Sequence, residues 1–347
     1  MIRLTARRRF AYALIAVVLA ATTGALTILL ADIYLHFRVQ NLAGVNVWGY
    51  RGSVVGRKPP GEIRIVVLGG STAFGYGLPA NESWPSSLEQ LLNGRPGETY
   101  RVVNLGAPGQ GAYGFAFDLA DYAYLAYDVV ILYEGYNDLG NPMAFDPTPA
   151  VVNHYLWRRQ SPVFRLTGYF PILPLVFREK AMAIRSGGQL DAAHRGEVHF
   201  SPGLAARMTA SALTSAASVA ETLGRRVGRL TDGAALSHAP LDTTSWRSYT
   251  DSVVKAVADA RTRGARVLVV TQPYISDAHV AQQRALSAAI ATRFGGDSGV
   301  RHVNLGTAVD LRDNSVAYDG IHLVARANRA IAERLVQPVR EVLRDYQ

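Results

Sequence analysis

The chain has 347 residues, of which 49% are apolar and 18% charged, so it can bury a sizeable core and is not of a disordered composition. Its formal net charge is +9. The basic residues are mostly arginines spread along the chain rather than gathered in one patch, which argues against nucleic acid as a partner. It contains no cysteine, which excludes disulfides and thiolate chemistry.

Arg3, Arg7, Arg8 and Arg9 precede an uncharged, mostly apolar stretch at residues 10–31. As a helix rising about 1.5 Å per residue it reaches about 33 Å, against a hydrocarbon core of about 30 Å. The flanking charge predicts residues 1–31 to be a cytoplasmic basic tail and signal anchor, with everything after Asp32 extracytoplasmic, periplasmic or at the cell surface. A signal peptide cut near Ala21 or Ala25 is the competing reading, but its apolar run is typically only about 7–15 residues. Residues 32–61 are expected to be a tether, punctuated by Tyr34, Phe37, Trp48 and Tyr50 and closed by Pro59-Pro60-Gly61.

Residues 62–140 carry an alternating strand–helix pattern. Residues 63–68 form a β-branched apolar run that reads as a buried strand, and Gly69 and Gly70 deliver Ser71 to its carboxyl end. In open α/β sheets ligands bind outside the carboxyl ends of the strands, so Ser71 is a candidate nucleophile. Residues 83–92 read as a helix with Ser83 as its cap and Pro85 in its first turn. Residues 100–105 are a second strand, running into the glycine-rich Gly106–Gly111 loop, which can aim a backbone N–H at an oxyanion or simply turn the chain. Residues 113–127 have the length and spacing of a helix. A third strand at 128–133 ends in Glu134-Gly135-Tyr136-Asn137-Asp138, where Asn137 is either a turn residue or an amide donor to an oxyanion.

Over 141–243 the alternation lapses into a mostly helical insertion, expected to be a lid, a membrane-contacting surface or a small subdomain core, with one or two helices between 202 and 230. His194, Glu197 and His199 lie close together but match no zinc spacing, so no metal is expected. Residues 244–347 return to the pattern: helices at 248–262 and 278–294, strands at 265–271 and 300–305, and a final helix at 324–343. Before it comes Asp319-Gly320-Ile321-His322. An aspartate three residues ahead of a histidine can accept its Nδ1–H and leave Nε2 to act as a general base. The whole predicts an α/β fold with three α/β/α layers around a parallel five-stranded sheet.

These blocks, in this order, resemble the SGNH/GDSL hydrolase family. Gly69-Gly70-Ser71-Thr72 is similar to its first block, in a GGST rather than GDS form like that of membrane-anchored bacterial members. Asn104 to Gly109 is similar to the second block, Gly135-Tyr136-Asn137-Asp138 to the third and Asp319-Gly320-Ile321-His322 to the fifth. The resemblance covers roughly 63–140 and 248–343 and implies a flavodoxin-like sheet. It also implies Ser71 as nucleophile, His322 as base, Asp319 as its orienting acid, and an oxyanion site from the Ser71 and Gly109 N–H groups and the Asn137 side chain. The expected activity is hydrolysis of O-acyl esters, acetyl or another short acyl, on an extracytoplasmic glycan or lipid through an acyl-enzyme and without a cofactor. Acyl transfer to an envelope polysaccharide by the same residues is the alternative. A non-catalytic envelope glycan- or lipid-binding protein is a third possibility, disfavoured because a binder needs no nucleophile–base pair. A dinucleotide site fails, since GGSTAFG lacks the G-x-G-x-x-G spacing.

Overall fold

A computed structural model describes residues 5–41, 44–94, 97, 99–139, 161–188, 202–231 and 246–344. In chain order the elements are α1 Ala6–Val39, β1 Glu62–Gly69, α2 Ser71–Phe74, α3 Trp84–Leu92, β2 Thr99–Asn104, α4 Phe115–Asp121 and β3 Val129–Tyr133. They continue with α5 Pro162–Thr167, α6 Leu173–Arg185, α7 Leu204–Thr231, α8 Arg247–Thr262, β4 Arg266–Thr271, α9 Asp277–Phe294, β5 Val300–Asn304 and α10 Ala325–Arg344. The chain divides into two units, one of Met1–Arg38 with Pro171–Glu221 and one of Val39–Phe170 with Thr222–Gln347.

The second unit carries the sheet. All five strands are parallel, in the order β2-β1-β3-β4-β5, the flavodoxin-like arrangement. Each strand lies within two residues of its predicted place; the inner strands β1, β3 and β4 are largely apolar buried runs, while the edge strands β2 and β5 carry polar residues. Ile65, Val67, Ile131, Leu268 and Val270 face one side, where α3 and α10 supply Trp84, Leu88, Ile331, Leu335 and Val339 to a single buried cluster. The alternate residues Val66, Leu68, Val130, Leu132, Val267 and Val269, also buried, point to the opposite face. There α4 packs on β1 and α8 on β4, completing three layers.

Two expectations for this unit are corrected. The helix expected over 113–127 shrinks to the seven residues of α4, flanked by two short 3-10 turns. The second of these turns, Ala123–Leu125, ends where Ala126 takes a left-handed φ of 50° ahead of β3. Ser83 does precede α3, but its hydroxyl donates back to Ala80 O (2.8 Å) and caps nothing. The first amide of the helix, Trp84 N, instead donates to Asn328 Oδ1 of α10 (3.1 Å), a cap supplied from the far end of the chain. The aromatic residues of the expected tether also separate. Tyr50 is buried edge-on against Tyr122, whose hydroxyl donates to Trp48 O (2.9 Å).

In the first unit, α1 includes a span at Arg7–Val39 long and apolar enough to cross a membrane, with Phe10, Leu14, Val17 and Leu30 exposed. It continues as helix through Asp32 to Val39, the first part of the expected tether. Asp32 is buried, and its Oδ1 accepts from Ile172 N (2.9 Å) and Leu173 N (2.6 Å), placing a carboxylate at the amino end of α6. The segment expected as one or two helices is one, α7.

Candidate active site

The sheet reverses its winding between β1 and β3, and the residues after these two strands meet there. Ser71 opens the single turn α2, directly after Gly70. That turn is held from both sides: Asn104, at the end of β2, donates its amide to Ala73 O (2.8 Å), and Gln272, just past β4, donates to Thr72 Oγ1 (2.7 Å). Gln272 also accepts from Tyr136 N (3.1 Å), so one side chain ties the serine turn to the asparagine turn.

His322 and Asp319 come from the loop before α10. His322 Nε2 lies 2.8 Å from Ser71 Oγ, and its Nδ1 lies 2.6 Å from Asp319 Oδ2. The other Asp319 oxygen accepts the backbone N–H of His322 (2.7 Å) and of Ile321 (3.0 Å). Partial burial works against the charged form of Asp319, but the hydrogen bonds from His322 outweigh it and hold the carboxyl below its ordinary range. An ionised Asp319 accepts the Nδ1–H, which leaves Nε2 unprotonated towards the serine hydroxyl. Two rings that the motifs do not reveal flank the imidazole: Tyr318 stacks at 5.9 Å and Tyr76 lies tilted at 5.1 Å. The Tyr318 hydroxyl donates to Tyr76 O (3.2 Å), closing the pair around His322.

Asn137 is brought to the same place. Its Nδ2 donates to Gln110 O (2.9 Å) and to Glu134 Oε1 (3.2 Å), and a Cβ on Gly70 would collide with that nitrogen. Gly109 is the exposed residue of the turn closed by Gln110 N donating to Ala107 O (3.1 Å), with a left-handed φ of 73° that suits glycine. Ser71, His322 and Asp319 thus form one hydrogen-bonded chain. Asn137 adjoins it, and Gly109 sits one residue from the carbonyl that Asn137 holds.

Beneath the asparagine turn lies a buried polar layer that sequence reasoning missed. Asp138 Oδ2 accepts from Ala112 N (3.0 Å), Tyr249 donates to Glu134 O (2.8 Å), Gln282 donates to Gly135 O (3.0 Å) and Gln283 donates to the Tyr249 hydroxyl (2.9 Å). Burial, reinforced by its neighbour Asp138, pushes the Glu134 pKa up, and burial likewise raises that of Asp138. The only local signal was a pair of acids around a glycine turn, which reads equally as solvated surface. Among the described residues no group of three or more histidine and acidic side chains is placed to hold a metal, and His194, Glu197 and His199 lie outside those residues.

A serine, a histidine and an aspartate joined by hydrogen bonds on loops at the carboxyl edge of an α/β sheet are the arrangement that a serine nucleophile requires. No family model and no curated protein matches the chain. Among solved structures it is similar to a member of the lipolytic protein G-D-S-L family from Veillonella parvula, at 12% identity and a TM-score of 0.42, over 79% of this chain and 97% of that one. It is also similar to LAE5, an alpha/beta hydrolase enzyme from the metagenome of Lake Arreo, at 15% identity and a TM-score of 0.43, over 81% of this chain and 96% of that one. A third is Axe2, an acetylxylan esterase from Geobacillus stearothermophilus, at 13% identity and a TM-score of 0.39, over 81% and 94%. Likeness at this level leaves the chemistry to be argued from the residues themselves.

Proposed function

We propose that the protein is a serine esterase of the SGNH type, anchored in a membrane by α1, that hydrolyses O-acyl esters of an extracytoplasmic glycan or lipid. The observation that carries this is the chain Ser71 Oγ–His322–Asp319, with contacts of 2.8 and 2.6 Å, beside the Asn137 amide. His322 Nε2 takes the Ser71 proton as Oγ attacks the ester carbonyl carbon. The carbonyl oxygen becomes an oxyanion, met by the Ser71 and Gly109 N–H groups and the Asn137 amide. Collapse breaks the ester C–O bond, and His322 returns the proton to the departing alcohol. Water, deprotonated by His322, then releases the acid and regenerates Ser71. Every proton moves through one imidazole, and Asp319 stabilises its charged form.

The anchoring part of the proposal rests on the arginines preceding α1 and on its apolar length. It places the catalytic unit where envelope O-acyl groups occur. Intact mass after exposure to a fluorophosphonate tests the chemistry. One adduct is expected on the parent chain and none on Ser71→Ala; a folded parent without an adduct sinks the reading. Supplying p-nitrophenyl acetate with and without a polysaccharide acceptor then separates hydrolysis, with acetate released in both cases, from transfer, with acetyl appearing on the glycan.

A further inference from the structure

One buried acid has no part in that mechanism. Glu134, 3% exposed, follows β3 and points its carboxyl into the space between the serine turn and the asparagine turn. Its Oε1 accepts three N–H groups: Gly135 N at 2.9 Å, Asn137 N at 3.0 Å and Asn137 Nδ2 at 3.2 Å. Its Oε2 faces the Gly70 backbone, whose N–H acts on the carboxyl, and lies 2.5 Å from where a Cβ on Gly70 would stand. The φ of Gly70 is −84°, which any residue adopts, so the glycine is required there by space and not by backbone angle. Gly70, next to the nucleophile, therefore shares one small volume with the Asn137 amide and the Glu134 carboxyl.

We infer that Glu134 is a positioning residue for acyl transfer: its carboxyl holds the Asn137 amide beside the Gly70–Ser71 peptide and gives up that bond when the oxyanion forms. This rests on the esterase reading above. The Asn137 amide has two N–H groups, and both are engaged at rest, one by Gln110 O at 2.9 Å and one by Glu134 at 3.2 Å. A forming oxyanion is a stronger acceptor than either and takes the N–H that is held less well. Once released, Oε1 keeps its two shorter backbone bonds, so the Gly135–Asn137 turn does not shift as the amide changes partner. The raised pKa of Glu134 is consistent with this role, since a neutral acid does not repel an anion forming nearby.

The test uses the full chain in detergent. It measures the rate of Ser71 labelling by a fluorophosphonate together with kcat and KM for p-nitrophenyl acetate. Asn137→Ala is expected to lower kcat by about 10²–10³-fold. Glu134→Ala is expected to lower kcat and the labelling rate at least about tenfold, with KM within about threefold. Glu134→Gln keeps an acceptor oxygen and is expected to stay within about threefold of the parent. Adding Glu134→Ala to Asn137→Ala is expected to cost less than about threefold more, because the two act through one amide. A labelled parent with Glu134→Ala at the parent's rate, a fully additive pair, or Glu134→Gln as slow as Glu134→Ala would overturn the inference alone. An unlabelled parent overturns the esterase reading and this inference with it. If Glu134→Ala does not fold, Glu134→Asp, which retracts the carboxyl, is expected to show the same loss, and a parent-like rate there also overturns the inference.

Discussion

The two arms of the site are built in opposite ways. The proton-transfer arm is a loop at the surface, with the Asp319 side chain 40% exposed and that of His322 16% exposed. It is held by its own short-range hydrogen bonds, by one isolated bridge between Ala317 and Leu323, and by the Tyr76 and Tyr318 rings. The proposed oxyanion arm is locked from below by side chains of α8 and α9 and from the side by Gln272 and Glu134. The difference fits the work each does in the proposed reaction. A general base makes and breaks bonds in every turnover and needs small adjustments. An oxyanion donor contributes by being in place before the charge appears, which favours burial and cross-linking.

That contrast fails if the arms respond alike to substitution. The largest expected effect is His322→Ala, which should lower kcat by about 10⁴-fold or more at a stability cost of about 1 kcal/mol, since the ring packs on Tyr76 and Tyr318 but its loss leaves no buried backbone N–H without an acceptor. Steady-state kinetics and urea unfolding of the same preparation check both halves. Asp319→Asn should follow, at about 10²–10⁴-fold in kcat with stability nearly unchanged, because the exchange unsettles the tautomer and not the packing.

On the buried arm the balance should invert. Glu134→Ala leaves the Gly135 and Asn137 amides without their acceptor, and each such loss typically costs about 1–3 kcal/mol, so its urea midpoint should fall well below that of either loop variant. Equal midpoints for Glu134→Ala and His322→Ala would erase the distinction between the arms.

A pH series sharpens it further. Glu134 has its pKa raised from an ordinary 4.5 to about 8, so between those values the folded chain holds a proton that the unfolded chain has released. Folding then binds protons, and stability falls as pH rises across that window, by at most about 1.4 kcal/mol for each step of one in pH. Glu134→Gln should flatten the fall in Tm between pH 5 and 8. Asp138, whose pKa is raised in the same direction, keeps it from vanishing. The smallest effect expected is from Tyr318→Ala, a few-fold in kcat, because Tyr76 still flanks the imidazole. No change at all would show that the ring merely covers the loop.

Much of this was legible in the chain itself. The three inner strands are largely apolar buried runs and the two edge strands mixed ones between glycine-rich turns, so all five, and the serine, the glycine loop and the asparagine just beyond three of their carboxyl ends, could be located from the residues alone. The Asp319–His322 spacing was likewise local, two residues three positions apart that close on one another within a single loop. What no local pattern carries is the filling of space between segments distant in sequence. The cap of α3 was decided by Asn328 on α10. The need for glycine at position 70 was decided by Glu134 and Asn137, since a carboxyl and an amide arriving from the end of β3 occupy the volume a side chain there would need. Hydrophobic period and motif spacing follow the chain, whereas hard-sphere exclusion acts between whatever the fold brings together.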